Sequence, residues 1–579
     1  MNVDTASRRT PGSKEADEYL ALRDLLVRLR EDYDTAYRQF RWPQASRFNW
    51  ALDHFDALAL GNANVALKIV DASGSETSRT FEQMRRASNR AAHFLIRKGM
   101  CRGDRMIVVL PNRVELWELM LASIKLGIVI CPATTLLSKA DLRERAERAG
   151  ARAIVADADT AARCDGFPCA VRIICGPSRS GWAAYDTADC AEAFDGQGTT
   201  RPEDPSLLYF TSGTTSKPKM VTHTQRSYAV GHLSTMYWLG LLPGDVHFNI
   251  STPGWAKHAW SCLFAPWTVG ATVFVFNQPA FDAARTLEAI ERHGVTTLCA
   301  PPTAWRALIQ KDLSSYRMRL REIVSAGEPL NPEVIEQVRA AWNLTVREGY
   351  GQTESTALIG NSPGQAVRAG SMGRPLPGYR IELLDADGTP AEEGEISVSL
   401  AERPAGLMGG YYGDAEKTQA AIGGRFYGTS DTARRDESGF YWYVGRTDDV
   451  FKSSDYRISP FELESVLVEH PAVVESAVVE SPDARRLFVP KAFITLRAGI
   501  RADDITAKSI FEHARARLAP YQRIRVIEFG ELPKTISGKI RRVDLRKAEA
   551  ERRASGERLE SEFFEMDFPE FSNSRFGSS

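Results

Sequence analysis

The chain has 579 residues, 43% of them hydrophobic and 25% charged, the proportions of a globular protein with room for several packed cores. Those figures exclude a disordered, collagen-like or small disulfide-built chain. Lys and Arg total 73 against 74 Asp and Glu, a formal net charge of −1, so no general electrostatic attraction to nucleic acid or to an anionic membrane is expected.

Asp4, Glu15, Asp17 and Glu18 stand among the first arginines, with no apolar run, so this stretch does not read as a secretory signal. From Leu22 the residues Leu22, Leu26, Leu29, Tyr33 and Tyr37 recur at helical intervals and predict one amphipathic helix. Beyond it β-rich runs alternate with helical patterns. Met106–Leu110 reads as a strand, Glu115–Leu126 as a helix and Gly127–Cys131 as a strand; Ala271–Phe276, Asp282–His293 and Thr296–Ala300 repeat that order. Such alternation predicts parallel sheets covered by helices. The apolar stretch Cys262–Phe276 is broken by Pro266 and Gly270 and is too short to span a bilayer.

Residues 378–445 change texture to short strands with dense turns, as in Ile381–Leu384, Glu395–Ser399 and Phe440–Val444. After Arg446 a compact α+β module is expected: helix Pro460–Glu469, strands Val473–Val479 and Ala492–Leu496, helix Asp503–Leu518 and strand Arg525–Phe529. Arg541–Arg558, with seven Lys/Arg and four Asp/Glu, reads as a solvated helix. The eight cysteines form no C-x-x-C pair, so reduced, buried thiols in a cytoplasmic protein are expected.

Four clusters carry chemistry. In Thr211-Ser-Gly-Thr-Thr-Ser-Lys-Pro-Lys219 the first six residues hold five hydroxyls and one glycine, and two lysines follow. Hydroxyls, backbone N–H groups and lysines suit polyphosphate oxygens, and an ordinary Ser/Thr turn is the alternative; the Walker A spacing is absent. Glu348-Gly-Tyr-Gly-Gln-Thr-Glu-Ser355 sets two glycines around Tyr350, room for a flat ligand, with Thr353 as a hydroxyl and Glu354 as a hard oxygen ligand for Mg²⁺. Asp431, in Tyr427–Asp431, is either a turn residue or a partner for ribose hydroxyls, and Arg446 and Asp448 stand where the composition changes. Finally, Pro533-Lys-Thr-Ile-Ser-Gly-Lys-Ile-Arg-Arg542 predicts a tight Ser537-Gly538 turn presenting Lys539.

Two other matches fail. Gly360-Asn-Ser-Pro-Gly364 fits G-x-S-x-G, but Pro363 lacks the N–H that an oxyanion hole needs. The nine histidines include no H-E-x-x-H, so zinc hydrolysis has no support.

In this order, and with Ser325-Ala-Gly-Glu-Pro-Leu330 between them, the four clusters resemble the adenylate-forming superfamily, and medium-chain acyl-CoA synthetases in particular; the resemblance runs from about Phe48 onward. It implies an α/β fold: a large N-terminal domain (1–446) of helix-covered sheets with a small β-barrel-like subdomain, and a small mobile α+β C-terminal domain (447–579) carrying a catalytic lysine. The activity implied is ATP-dependent, AMP-forming ligation of a carboxylic acid to coenzyme A, with ATP, Mg²⁺ and CoA required.

By the same resemblance, Thr211, Ser212, Gly213, Thr214, Thr215, Ser216, Lys217, Pro218 and Lys219 would hold the ATP β- and γ-phosphates. Gly327, Glu328, Pro329, Glu348, Gly349, Tyr350, Gly351 and Gln352 would border the nucleotide. Thr353 would meet the α-phosphate, Glu354 the metal, Asp431 and Arg446 the ribose, and Lys539 would complete adenylation. Arg457 would be a phosphate or active-site contact, Asp448 the hinge, and Ser454, Asp455, Tyr456, Tyr521 and Arg523 the CoA contacts.

Ser216 and Asp455 replace the family's usual glycines, and Asp455 adds a carboxylate beside the thiol channel. Gly351 is expected to leave space where acetate-activating relatives carry tryptophan, and Trp255, His258 and Trp260 either line the acyl or pantetheine channel or fill the core. Medium straight-chain, branched and aryl acids remain open. Rival readings are an adenylation enzyme loading a carrier-protein thiol and a non-catalytic nucleotide- or acyl-binding relative. No nucleic acid or membrane partner is expected, and the oligomeric state, a homo-oligomer included, is left open.

Overall fold

A computed structural model describes residues 14–44, 47–194, 196, 200–211, 218–328, 330, 332–453, 456–483, 486–535 and 539–572. Contacts divide the chain into two units: residues 1–381, 398–427 and 437–441, and residues 382–397, 428–436 and 442–579. Among the described residues no helix is long and apolar enough to cross a membrane.

The first unit holds two sheets. One runs, in hydrogen-bonded order, through Gly410–Tyr411, Lys219–Thr224, Pro205–Thr211, Val129–Pro132, Arg105–Val109, Ala153–Asp157, Val171–Cys175 and Ala183–Ala184. From Pro205–Thr211 to Ala183–Ala184 its neighbours are parallel. The other contains a parallel row of Val65–Asp71, Thr272–Asn277, Val246–Asn249, Thr297–Ala300, Glu322–Ala326 and Arg347–Gly351. These strands are the apolar runs of the sequence, buried on both faces as parallel strands are; Thr297–Ala300 and residues 323–326 are buried throughout. The helix Ala283–Arg292, capped by Asp282, seals one face with Leu287 and Ile290, both fully buried.

Several boundaries differ from the sequence expectation, the strands expected at Val473–Val479 and Ala492–Leu496 being the longer Val473–Asp483 and Leu487–Leu496, and two differences have a clear local cause. The single helix expected from Leu22 is two, Lys14–Arg28 and Tyr33–Gln39. The apolar spacing runs on through Asp32, but its side chain caps the second helix, accepting from the Thr35 N–H at 3.1 Å. The strand expected at Gly127 begins at Val129, because Gly127 closes the preceding helix in a left-handed conformation, φ 68°.

Four strands pair in a row in the order Ile381–Leu384, Glu393–Ser399, Phe426–Arg435 and Tyr441–Arg446. The rest of the second unit is built on the sheet Val473–Asp483, Leu487–Leu496, Val526–Phe529 and Glu562–Phe564, covered by helices Pro460–Val468, Asp504–Arg517 and Arg542–Ser555. Ile458, Leu463, Val478, Ile494, Ile510, Phe511 and Ile527 form its core.

Candidate active site

Parallel strands place ligands at their carboxyl ends, and in the first unit those ends gather the predicted residues. Val246–Asn249 leads into the segment carrying Trp255 and His258, Glu322–Ala326 into Gly327 and Glu328, and Arg347–Gly351 into Gln352, Thr353 and Glu354. Ala326 pairs with Gly349, so those two segments start side by side. Gly327, at φ 110°, makes a turn that an L side chain rarely adopts. The other sheet meets this edge. A Cβ at Gly254 would lie 2.4 Å from Thr134 N and 2.7 Å from the Ala133 carbonyl carbon. His258 Nε2 lies 2.9 Å from Asn112 Oδ1, just beyond Arg105–Val109.

The hydroxyl-rich segment joins a hairpin: Thr211 pairs with Lys219 across antiparallel strands Pro205–Thr211 and Lys219–Thr224. Ser212, Gly213, Thr214, Thr215, Ser216 and Lys217 lie outside the described residues, as does Pro329. The Pro218 carbonyl accepts from Arg148 Nη2 at 2.8 Å. Lys219 Nζ stands 5.5 Å from the centroid of the Tyr411 ring. Tyr411 OH in turn donates to Glu354 Oε1 at 3.2 Å, and the Glu354 carbonyl accepts from Met408 N–H at 2.8 Å. Gln352 Oε1 accepts from Tyr427 OH at 2.9 Å.

The glycines flanking Tyr350 are also required by packing within the chain. A Cβ at Gly349 would sit 2.2 Å from Trp238 Cε2, and one at Gly351 would sit 2.7 Å from Trp260 Cη2 and 2.5 Å from Thr356 O. Both spaces are filled by tryptophans of the same chain. A side chain at Gly351 would thus meet Trp260, which is anchored by its Nε1–H donating to Tyr228 OH at 2.6 Å. Trp260 starts a π-helical stretch, Trp260–Phe264, after the short helix Ala256–Ala259. Trp255 is half-buried, and His258 is buried beside the Trp117 ring at 5.6 Å.

Burial sets the ionisation of several groups here. The Glu348 carboxyl, 5% exposed, is pushed up to about 8 by desolvation, only partly opposed by a backbone hydrogen bond from Leu330. Desolvation lowers His258 to about 3, so its imidazole is neutral. Lys257, which the motif reading passed over, donates from Nζ to the Ala326 carbonyl at 3.1 Å, and burial lowers its pKa. A lysine within an apolar Trp-Ala-Lys-His-Ala-Trp run was its only sequence signal.

In the second unit Asp431 is 6% exposed, and its Oδ1 accepts from Tyr443 OH at 3.2 Å. Arg446 stands between two carboxylates, Nη1 3.9 Å from Asp431 Oδ1 and Nε 3.1 Å from Asp448 Oδ1. The Asp448 carbonyl accepts from Arg546 Nη1 at 2.9 Å. Arg457 pairs with Lys452 in the hairpin of strands Phe451–Ser453 and Tyr456–Ile458; Ser454 and Asp455, in its turn, lie outside the described residues. Tyr456 stacks on Tyr521 with ring centroids 4.4 Å apart and planes 15° from parallel. Arg523 lies two residues on, its Nε buried and its pKa lowered first by desolvation and then by Arg515. Lys539 is exposed, its carbonyl accepting from the Thr535 N–H at 2.8 Å; the turn expected at Ser537-Gly538 lies outside the described residues.

Known proteins resemble both units. The family described as AMP-binding enzyme matches residues 57–412, and the AMP-binding enzyme C-terminal domain matches residues 462–539. The mitochondrial acyl-coenzyme A synthetase ACSM3 of Rattus norvegicus is 40% identical over 550 residues, covering 90% of this chain and 93% of its own. The 4-hydroxybutyrate–CoA ligase 1 of Metallosphaera sedula is 43% identical over 531 residues, covering 89% and 93%. Among solved structures, the anthranilate CoA ligase AuaEII in complex with anthranoyl-AMP has a TM-score of 0.80 at 28% identity, covering 88% of this chain and 99% of that one. The chain belongs to the AMP-binding enzymes, the adenylate-forming family that its four motifs resemble.

Proposed function

We propose that this protein is an ATP-dependent, AMP-forming acyl-CoA synthetase acting on a mid-sized carboxylic acid. The observation that carries the reading is the meeting of strand Lys219–Thr224, Gly327–Glu328 and the 348–354 segment at the carboxyl edge of the first unit's strands. Relatives that ligate acids to CoA, at 40% and 43% identity, support it.

A carboxylate is a poor acyl donor and must attack a phosphorus already ringed by negative charge. One carboxylate oxygen attacks the α-phosphorus and pyrophosphate leaves, giving an acyl-adenylate. The CoA thiol then attacks the acyl carbon, its proton is lost, and AMP departs with the bridging oxygen. In the first step Thr353 meets the α-phosphate, the 211–219 segment holds the terminal phosphates, and Lys539 neutralises charge on the phosphorus centre. Asp431 and Arg446 take the ribose. A carboxylate beside substrate phosphates is the usual magnesium arrangement, and Glu354, with Oε1 steadied by Tyr411, fits it. Bound there, Mg²⁺ supplies charge neutralisation on the phosphates.

In the second step the stacked Tyr456–Tyr521 pair and Arg523 offer a flat face and a cation to the nucleotide end of CoA. Two steps at one site need different groups, which gives a separate C-terminal domain, with a hinge at Asp448, its purpose.

The test is acid-dependent ATP–pyrophosphate exchange over a panel of straight-chain, branched and aryl acids, followed by thioester formation with CoA. Exchange and CoA thioester with at least one mid-sized acid, and little with acetate, are expected. Exchange without thioester would favour a carrier-loading enzyme, and no exchange a binding protein.

A further inference from the structure

His223 lies in strand Lys219–Thr224, which leaves the hydroxyl-rich segment, and is 0% exposed. Its Nε2 is 2.7 Å from the Thr353 carbonyl oxygen. A carbonyl only accepts, so Nε2 carries the proton and Nδ1 is left as an acceptor. Ser227 Oγ stands 3.0 Å from Nδ1 and itself accepts from Thr224 N–H at 2.8 Å, so its hydroxyl proton is available to the ring. One tautomer thus satisfies every partner. Burial lowers the imidazole to about 4, against the opposing pull of the Thr353 carbonyl, so the ring is neutral near pH 7.

The bond falls where orientation matters. The Thr353 carbonyl belongs to the peptide joining Thr353 to Glu354, and the next carbonyl, that of Glu354, accepts from Met408 N–H at 2.8 Å. The donors come from two neighbouring segments: Gly410 pairs with Thr222, and Gly409 N–H donates to Thr222 O at 2.7 Å. Hairpin and turn are therefore held in one register. An apolar side chain would fill the same volume at lower desolvation cost; what the imidazole adds is one aimed donor.

We infer that His223 is a positioning residue for adenylation, fixing the Thr353–Glu354 peptide so that the Thr353 hydroxyl and the Glu354 carboxylate are set for the triphosphate before it binds. The inference rests on the reading of Thr353 and Glu354 given above.

Four variants test it: His223→Phe, His223→Gln, Thr353→Val and the double variant H223F/T353V. With the best acid of the panel, H223F should lower the rate constant of ATP–pyrophosphate exchange by about 30-fold or more and change the KM for ATP by less than about threefold, the signature of an interaction used in the transition state. Conversion of supplied acyl-adenylate and CoA to thioester should stay within about threefold, a readout that misfolding would not spare. H223Q, whose amide N–H reaches toward the place of Nε2–H, should recover to within about fivefold of wild type, and the double variant should lose no more than T353V alone. Wild-type exchange in H223F, equal losses in both half-reactions, or losses that multiply in the double variant would each overturn the inference. Should H223F fail to fold, recovery by His223→Asn but not by H223Q would do the same. A wild-type rate in T353V would overturn the underlying reading of Thr353, whereas an impaired T353V beside an unimpaired H223F would overturn this inference alone.

Discussion

Gly349 and Gly351 are small so that Trp238 and Trp260 can be large. Replacing Gly351 by tryptophan alone sets the new side chain against Trp260 and the Thr356 backbone. It should cost about 1–3 kcal/mol of stability, as overpacking does, and not simply shorten the acyl chain accepted. A drop in the urea midpoint for Gly351→Trp, relieved when Trp260 is also reduced to glycine, is the expected result. Glu348 gives a pH signature. Its folded pKa of about 8 lies above the ordinary 4.5, so the folded state holds the extra proton between these values. Its contribution is fully present below about 4.5 and is lost as pH rises through about 8. Glu348→Gln should therefore flatten the fall in stability over that window, measured as the difference between the two proteins' urea midpoints at pH 5 and pH 9. The motifs make Thr353, Glu354, Asp431 and Lys539 legible as candidates in the sequence alone. Trp238 and Trp260 as the fillers of Gly349 and Gly351, and His223 as the donor to Thr353, are not, because those contacts join residues 91 to 130 positions apart and no local pattern encodes them.

At the level of elements, apolar runs mark strands and helices: Ile381–Leu384 is a strand over its predicted residues, and the predicted Asp282–His293 encloses the helix Ala283–Arg292. The break at Asp32 was missed because the apolar spacing continues through it, while a side-chain cap is a local competitor that periodicity ignores. Arg541–Arg558 read as a merely solvated helix, yet one face of Arg542–Ser555 carries Glu549, fully buried. Lys491, also fully buried, donates from Nζ to Glu549 Oε2 at 2.6 Å, lies 2.7 Å from Glu528 Oε2 and bonds Glu562. The three carboxylates converge closely enough to hold a metal ion, but the lysine ammonium already occupies their centre. Removing one partner from a buried ion cluster leaves charge uncompensated. Lys491→Met should therefore destabilise the second unit by about 3–5 kcal/mol, seen as protease cleavage within residues 460–564 at urea concentrations that leave the wild type intact.

For the whole molecule, the proposed chemistry has two half-reactions, and Lys539, exposed in the second unit, is proposed to serve the first. Lys539→Ala should depress adenylation by about 10²–10³-fold, as loss of one transition-state charge partner does, and spare thioester formation from supplied acyl-adenylate. Equal losses in the two assays would refute that assignment. The most direct test follows the oxygen. With the carboxylic acid labelled with ¹⁸O and the enzyme turning over ATP and CoA, attack of carboxylate on the α-phosphorus predicts one labelled oxygen in the AMP released and none in the pyrophosphate. Label in inorganic phosphate with ADP as the nucleotide product, or unlabelled AMP, would contradict the acyl-adenylate route.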